Sequence, residues 1–266
     1  MSSLIPVEER SFYPADIWDE VFSRIRCLQD LKNISLTCKV FYTLSRRHLY
    51  KRSVIIVTGY RRCPCFPETK LTSIINMHIQ NLIIDSSQIN DADLDVICNM
   101  SSLRSFEVRS HRRSSIISSV GLVKLGNLTC LKTLVLDMDS LSAFVVDDNV
   151  LAALSALPNL KHLRMSDILG ITAESLFHLR QSSLRILVLH NCRLTDESLL
   201  AISGILQLEH LSMDENDRVT SIGFQHLKNL SRLKRENLTL SNTDLTPSNW
   251  HFELLLLRPE RRVRYE

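Results

Sequence analysis

The stretch from Leu184 to Ile202, LRILVLHNCRLTDESLLAI, changes its spacing halfway along. Leu184, Leu187 and Leu189 are separated by three and then two residues, whereas Leu194, Leu199 and Ile202 are separated by five and then three. Apolar residues two apart share one face of a strand, and residues three or four apart share one face of a helix. The stretch therefore reads as a strand, a turn and the start of a helix.

Aligned on that alternation, the rest of the chain repeats the unit. The aliphatic positions are Ile79/Leu82/Ile84, Leu103/Phe106/Val108, Leu131/Leu134/Leu136, Leu160/Leu163/Met165, Leu184/Leu187/Leu189 and Leu208/Leu211/Met213, followed by Leu238/Leu240 with Arg235 where the first aliphatic belongs. The steps between middle aliphatics are 24, 28, 29, 24, 24 and 27 residues. After each strand comes a polar turn, then an apolar residue and a helix cap. The caps are Asn90, Ser118, Asp147, Thr172, Thr195, Thr220 and Thr246, the last followed by Pro247. Such side chains accept hydrogen bonds from the orphaned amides of a helix's first turn, and proline at the first helical position lacks an amide that would go unused there. Apolar pairs at helical spacing follow, among them Leu94/Ile97, Leu151/Leu154, Leu176/Leu179 and Phe224/Leu227. The pattern predicts seven strand-turn-helix units.

These units resemble the cysteine-containing class of leucine-rich repeats. The Asn/Cys position of that class, three residues past the third aliphatic, carries Cys192 and Asn216, with Ser87 and Thr243 as small polar substitutes. In the middle units His111, Asp139 and Ile168 stand there instead, and the pattern weakens. The resemblance implies an α/β fold, a curved solenoid with a parallel sheet on its concave side over residues 79–266. Residues 51–78 read as a linker and N-terminal cap, with a strand over Val54–Val57, and Leu254–Leu257 as cover for the last repeat. Leu233 falls two residues too early for the final strand.

Composition is that of a soluble protein. The chain has 266 residues, 44% hydrophobic and 23% charged, with a formal net charge of +3. A charge so close to zero gives no push toward nucleic acid. The opening MSSLIPVEERSF has no basic stretch followed by an apolar one, and purely apolar runs such as Leu254–Leu257 are only a few residues long, so we expect neither secretion nor membrane insertion. Seven scattered cysteines suit a reducing compartment and free thiols.

Residues 11–50 are a different kind of sequence. Pro14 suits a first helical position, with Asp16, Asp19 and Glu20 complementing the helix N-terminus, and Ile17, Val21, Ile25 and Leu28 trace an apolar stripe. Asp30 suits the cap of a second helix carrying Leu31 and Ile34, and Thr37 the start of a third carrying Val40, Phe41, Leu44 and Leu49. This segment resembles an F-box. The family's Leu-Pro-x-Glu/Asp-Ile-Leu is matched by Tyr13-Pro14-Ala15-Asp16-Ile17-Trp18, its Ile-Phe-Ser by Val21-Phe22-Ser23, its Asp-Leu by Asp30-Leu31 and its Cys-Lys-x-Trp by Cys38-Lys39-Val40-Phe41. Tyr13, Trp18 and Phe41 depart from the pattern while keeping large apolar groups.

That resemblance implies an SCF-type cullin-RING ubiquitin ligase, in the cytoplasm or the nucleus. The F-box would dock on the adaptor subunit, and through it on cullin, by Pro14, Ile17, Val21, Phe22, Leu31, Cys38 and Phe41. The repeats would hold the protein to be ubiquitylated. The alternative is an interaction scaffold whose F-box-like segment engages no ligase. Neither role needs a catalytic group or a cofactor, and the chain has no phosphate-binding glycine loop, no Gly-x-Ser-x-Gly and no His-Glu-x-x-His. Cys63-Pro64-Cys65 with His78 lacks the second cysteine pair that a zinc site wants.

Two sets of residues are candidates for the substrate surface. The turns of the second and third units are longer than the rest, with intervals of 10 and 11 residues from third aliphatic to cap against 6 or 7 elsewhere. One is basic, with Arg109, His111, Arg112 and Arg113; the next carries Asp137, Asp139 and Phe144. The second set is the outward-facing row that follows each third aliphatic: Asp85, Arg109, Asp137, Ser166, His190, Asp214 and Ser241; Arg164 is a further candidate. Its mixed sign suits a protein partner and argues against nucleic acid.

Overall fold

The computed structural model describes residues 53–58, 79–86, 89–109, 117–138, 144–234 and 237–239. Alternating aliphatics form ten strands: β1 (Ser53–Thr58), β2 (Asn81–Ser86), β3 (Ser105–Arg109), β4 (Thr133–Asp137), β5 (Phe144–Val145), β6 (His162–Ser166), β7 (Ile168–Leu169), β8 (Ile186–His190), β9 (His210–Ser212) and β10 (Leu238–Thr239). Eight of them make one parallel sheet in the order β1-β2-β3-β4-β6-β8-β9-β10. Seven of these are the strands expected from the repeat, and β1 is the strand expected over Val54–Val57. Register follows the repeat: Leu82, Phe106, Leu134, Leu163, Leu187 and Leu211 are successive partners, and Leu211 is partnered in turn by Leu238.

Helices follow the caps: α1 (Asp91–Cys98), α2 (Ser119–Val123), α3 (Asp148–Ser155), α4 (Ala173–Phe177), α5 (Asp196–Ile202) and α6 (Ser221–Phe224). The residues expected as caps, Asn90, Ser118, Asp147, Thr172, Thr195 and Thr220, precede them in extended conformation. Side chains of Asn90, Ser118, Asp147, Thr172 and Thr220 accept from amides two or three residues on. Helices α2, α4 and α6 tighten into 3-10 turns at Lys124–Asn127, His178–Gln181 and Gln225–Asn229. A recurring tight turn then returns the chain to the sheet: the amides of Leu103, Leu131, Leu160, Leu208 and Leu233 donate to the carbonyls of Met100, Leu128, Leu157, Ile205 and Leu230.

Leu233, not Arg235, is thus the first aliphatic of the final unit. It is buried like its counterparts, and the two extra residues fall between it and β10. The described aliphatics of the seven units join one continuous core between sheet and helices, and each buried leucine contributes about 1.5 to 3 kcal/mol. Neighbouring strands sit about 4.8 Å apart and packed helices about 8 to 10 Å apart, so the stack bends with its sheet on the concave side.

Cys192 and Asn216 occupy the buried position inside the turns that the repeat assigned them. The Asn216 amide donates to the carbonyls of Leu189, Met213 and Asp214 at 2.8 to 3.0 Å and accepts from the amides of Cys192 and Leu194 at 3.1 Å. The Cys192 thiol reaches the His190 carbonyl at 3.1 Å. One unit earlier, the fully buried Ile168 offers no such group, and a backbone ribbon takes its place. There β5 pairs with β7, and the Val146 amide donates to the Leu169 carbonyl at 2.8 Å.

The F-box-like segment 11–50, with Pro14, Ile17, Val21, Phe22, Leu31, Cys38 and Phe41, lies outside the described residues, as do Cys63, Cys65, His78, Ser87, Thr243, Thr246 and Leu254–Leu257.

Candidate functional site

Each strand turns its aliphatics inward and leaves the intervening side chains on the concave face, where the parallel register lines them up in rows. One row runs Glu107, Val135, Arg164, Val188. The next contains Arg109 and Asp137, and the row on the other side contains His162 and Ile186. Together these eight side chains line an open groove of about 640 Å³. Val135 on one side of Arg164 and His162, and Ile186 and Val188 on the other, give it apolar patches among side chains of both charge signs.

The charges are already engaged with one another. Arg109 Nε donates to Glu107 Oε1 at 2.6 Å along β3. The Arg164 guanidinium lies 3.7 Å from Asp137 Oδ2 on the neighbouring strand, and its Nε donates to Ser166 Oγ at 3.4 Å. All four charged side chains keep contact with solvent, and half-exposed pairs of this kind hold by only about 0 to 1 kcal/mol. A ligand can therefore exchange with them at little cost. Burial, reinforced by the nearby Arg164 charge, holds the His162 imidazole below its ordinary value of 6.5, so it is neutral at pH 7.

At the end of β8, His190 Nε2 sits 2.9 Å from Ser212 Oγ and 3.3 Å from Asp214 Oδ2, and the Ser212 hydroxyl donates to the same carboxylate at 3.2 Å. The three residue types are those of a hydrolytic triad, but the geometry is not. A triad holds its serine and its carboxylate on opposite nitrogens of the ring, whereas here both face the same nitrogen. This cluster is a polar network on the concave surface.

Of the candidates from sequence, the structure brings Arg109, Asp137 and Arg164 into the groove and places His190 and Asp214 as a pair beside it. His111, Arg112, Arg113 and Asp139 lie outside the described residues, as does Ser241. Phe144 belongs to β5 and is tied through the ribbon to the following unit, at Ile168. Ser166 corrects the expected row: it is 3% exposed, because its hydroxyl is taken by the Arg164 side chain and Asp137 and His190 flank its backbone. Glu107, Val135, His162, Ile186 and Val188 were missed. Their signal was present in the aligned units, since each stands beside the second aliphatic rather than after the third.

No protein-family model and no curated protein matches this chain. Among solved structures it is similar to an internalin from Listeria monocytogenes, at 18% identity over 76% of this chain, with a TM-score of 0.39. The chain covers 63% of that structure, less than two thirds of its length. The strand register, the caps and the Cys192/Asn216 turns by themselves make the described residues a repeat solenoid of strand-turn-helix units with one parallel sheet.

Further chemistry is sparse. Burial pushes the Cys192 thiol up to about 12 and the Cys98 thiol to about 11, which removes both from nucleophilic use. Among the described residues no group of three or more His, Cys, Asp and Glu side chains is placed to hold a metal ion, and no helix is long and apolar enough to cross a membrane.

Proposed function

We propose that this chain is a protein-recognition subunit that seats its partner in the concave groove, and that it serves as the substrate receptor of an SCF-type cullin-RING ubiquitin ligase. The observation that supports recognition is the groove itself. Apolar patches set among weakly held ion pairs of both signs suit side chains of a folded or extended protein, with re-partnered charges setting orientation. The ligase half rests on the ordered F-box-like matches from Tyr13 to Phe41. A receptor of this kind works by tethering. Holding a substrate beside an activated ubiquitin raises its effective concentration, and no side chain of the receptor acts as acid, base or nucleophile.

Co-purification of the full chain with the SCF adaptor and cullin tests the ligase half, run beside a Pro14→Ala/Phe22→Ala variant whose fold is checked by circular dichroism. Capture by the parent and loss in the folded variant are expected. Absence of capture by either leaves a leucine-rich-repeat scaffold that engages no ligase.

A further inference from the structure

The rows of the concave face are mixed in sign, but the edge from which the strands start is not. Arg104, Lys132, Lys161 and Arg185 immediately precede β3, β4, β6 and β8. They stack as consecutive rungs: the Lys132 amide donates to the Arg104 carbonyl at 2.7 Å, Lys161 to Lys132 at 2.9 Å and Arg185 to Lys161 at 2.8 Å. Each of those three carbonyls also accepts the amide of the next residue along, from Thr133, His162 and Ile186, at 2.9 to 3.0 Å. The backbone of the ladder is therefore held twice per rung. All four side chains are exposed, and Arg104, Lys132 and Lys161 have no acidic partner among the described residues. Arg185 meets Glu209, the acid that closes the ladder, at 3.4 Å.

We propose that this basic ladder binds an acidic peptide segment of the partner, running across the strands with the residues that follow it entering the apolar groove. The proposal rests on the recognition half of the function above and not on its ligase half. Like charges on directly neighbouring strands repel one another, and an anionic ligand relieves that repulsion. Elsewhere on this face Arg109 and Arg164 each have a carboxylate of the chain itself, so the ladder is where unneutralised positive charge collects. Three steps of about 4.8 Å make a track of about 14 Å, the reach of four or five extended residues at about 3.3 Å each. The surroundings select a peptide over a nucleic acid. Glu107 and Asp137 would repel a continuing phosphate backbone, and Val135, Ile186 and Val188 offer it nothing, whereas a chain that turns from acidic to apolar satisfies both surfaces.

The test uses the full chain and a fluorescein-labelled glutamate-rich peptide ending in leucine and valine, with binding followed by fluorescence anisotropy at low and high salt. Binding that weakens with salt is expected. Lys132→Glu/Lys161→Glu should weaken it about tenfold or more, and Lys132→Ala/Lys161→Ala by less. Arg218→Glu/Arg232→Glu, which reverses two exposed charges outside the ladder, should leave it within about twofold, with circular dichroism checking each variant. Failure of the parent to bind, equal loss in both reversal variants, or tighter binding of a single-stranded oligonucleotide that is lost in the ladder variant would each overturn the proposal. Adaptor capture is read separately and should survive in the ladder variant, so failure of the ladder is distinguishable from failure of the ligase reading.

Discussion

Asn216 shows how much one side chain carries in this solenoid. Its amide is fully buried and makes five hydrogen bonds to the backbone of its own turn and the preceding one. Asn216→Ala leaves two amides and three carbonyls without that partner, and urea unfolding should show a loss of about 3 kcal/mol or more. Cysteine labelling of the native protein, mapped by mass spectrometry, should modify the exposed Cys130 and spare Cys192, whose thiol burial pushes up to about 12. His162 supplies a pH dependence. Its folded value lies below 6.5, so the unfolded chain binds the proton more tightly and stability rises with pH between the folded value and 6.5. The His162 contribution is complete above that window and is lost as pH falls through it. The urea midpoint should therefore drop less on acidification in His162→Gln than in the parent.

Neighbouring helices are stapled at their N-termini by side chains that reach across units. The Asp91 carboxylate, in the first turn of α1, accepts from the Ser118 amide at 2.8 Å and from its hydroxyl at 2.6 Å. Asp196 does the same for Thr220 at the head of α6, at 2.7 and 2.6 Å, and Asp148 accepts from the Thr172 hydroxyl at 2.9 Å. A Cβ at Gly121 or Gly223 would overlap the carboxylates of Asp91 and Asp196, which gives both glycines a steric reason. Gly121→Ala and Asp91→Ala should each cost about 1 kcal/mol, and the double variant should cost clearly less than their sum because both break one interaction. Thermal denaturation of the four proteins of the cycle measures this.

At the scale of the whole molecule the repeat separates two tasks. The core is a continuous apolar column that needs only aliphatics in register, so the outward positions are free to carry recognition. An Arg164→Glu/Val188→Asp variant should therefore fold like the parent while losing capture of a partner that binds the groove. Adaptor capture should persist in the same variant, since the matched residues from Tyr13 to Phe41 lie far along the chain from the groove. Parallel pull-downs with adaptor and with an identified substrate would check both halves, and loss of adaptor capture would tie the two ends of the chain together.

Sequence by itself determined the local and the periodic. The two-residue alternation, the caps and the Cys192/Asn216 position are short-range signals, each dictated by how one residue's side chain serves its own turn of chain, and the structure places them where the spacing did. What only the tertiary structure decided is which side chains from different units stand together. Ser166 looked outward by parity, yet Arg164 and its neighbours close over it. Leu233 replaced Arg235 once the turn from Leu230 was formed, because burial outranks spacing. The groove and the basic ladder are the same case on a larger scale. Arg104, Lys132, Lys161 and Arg185 each follow a first aliphatic in the aligned units, but they are 28, 29 and 24 residues apart in the chain. Only parallel pairing, which sets neighbouring strands about 4.8 Å apart, turns that periodicity into a charged surface.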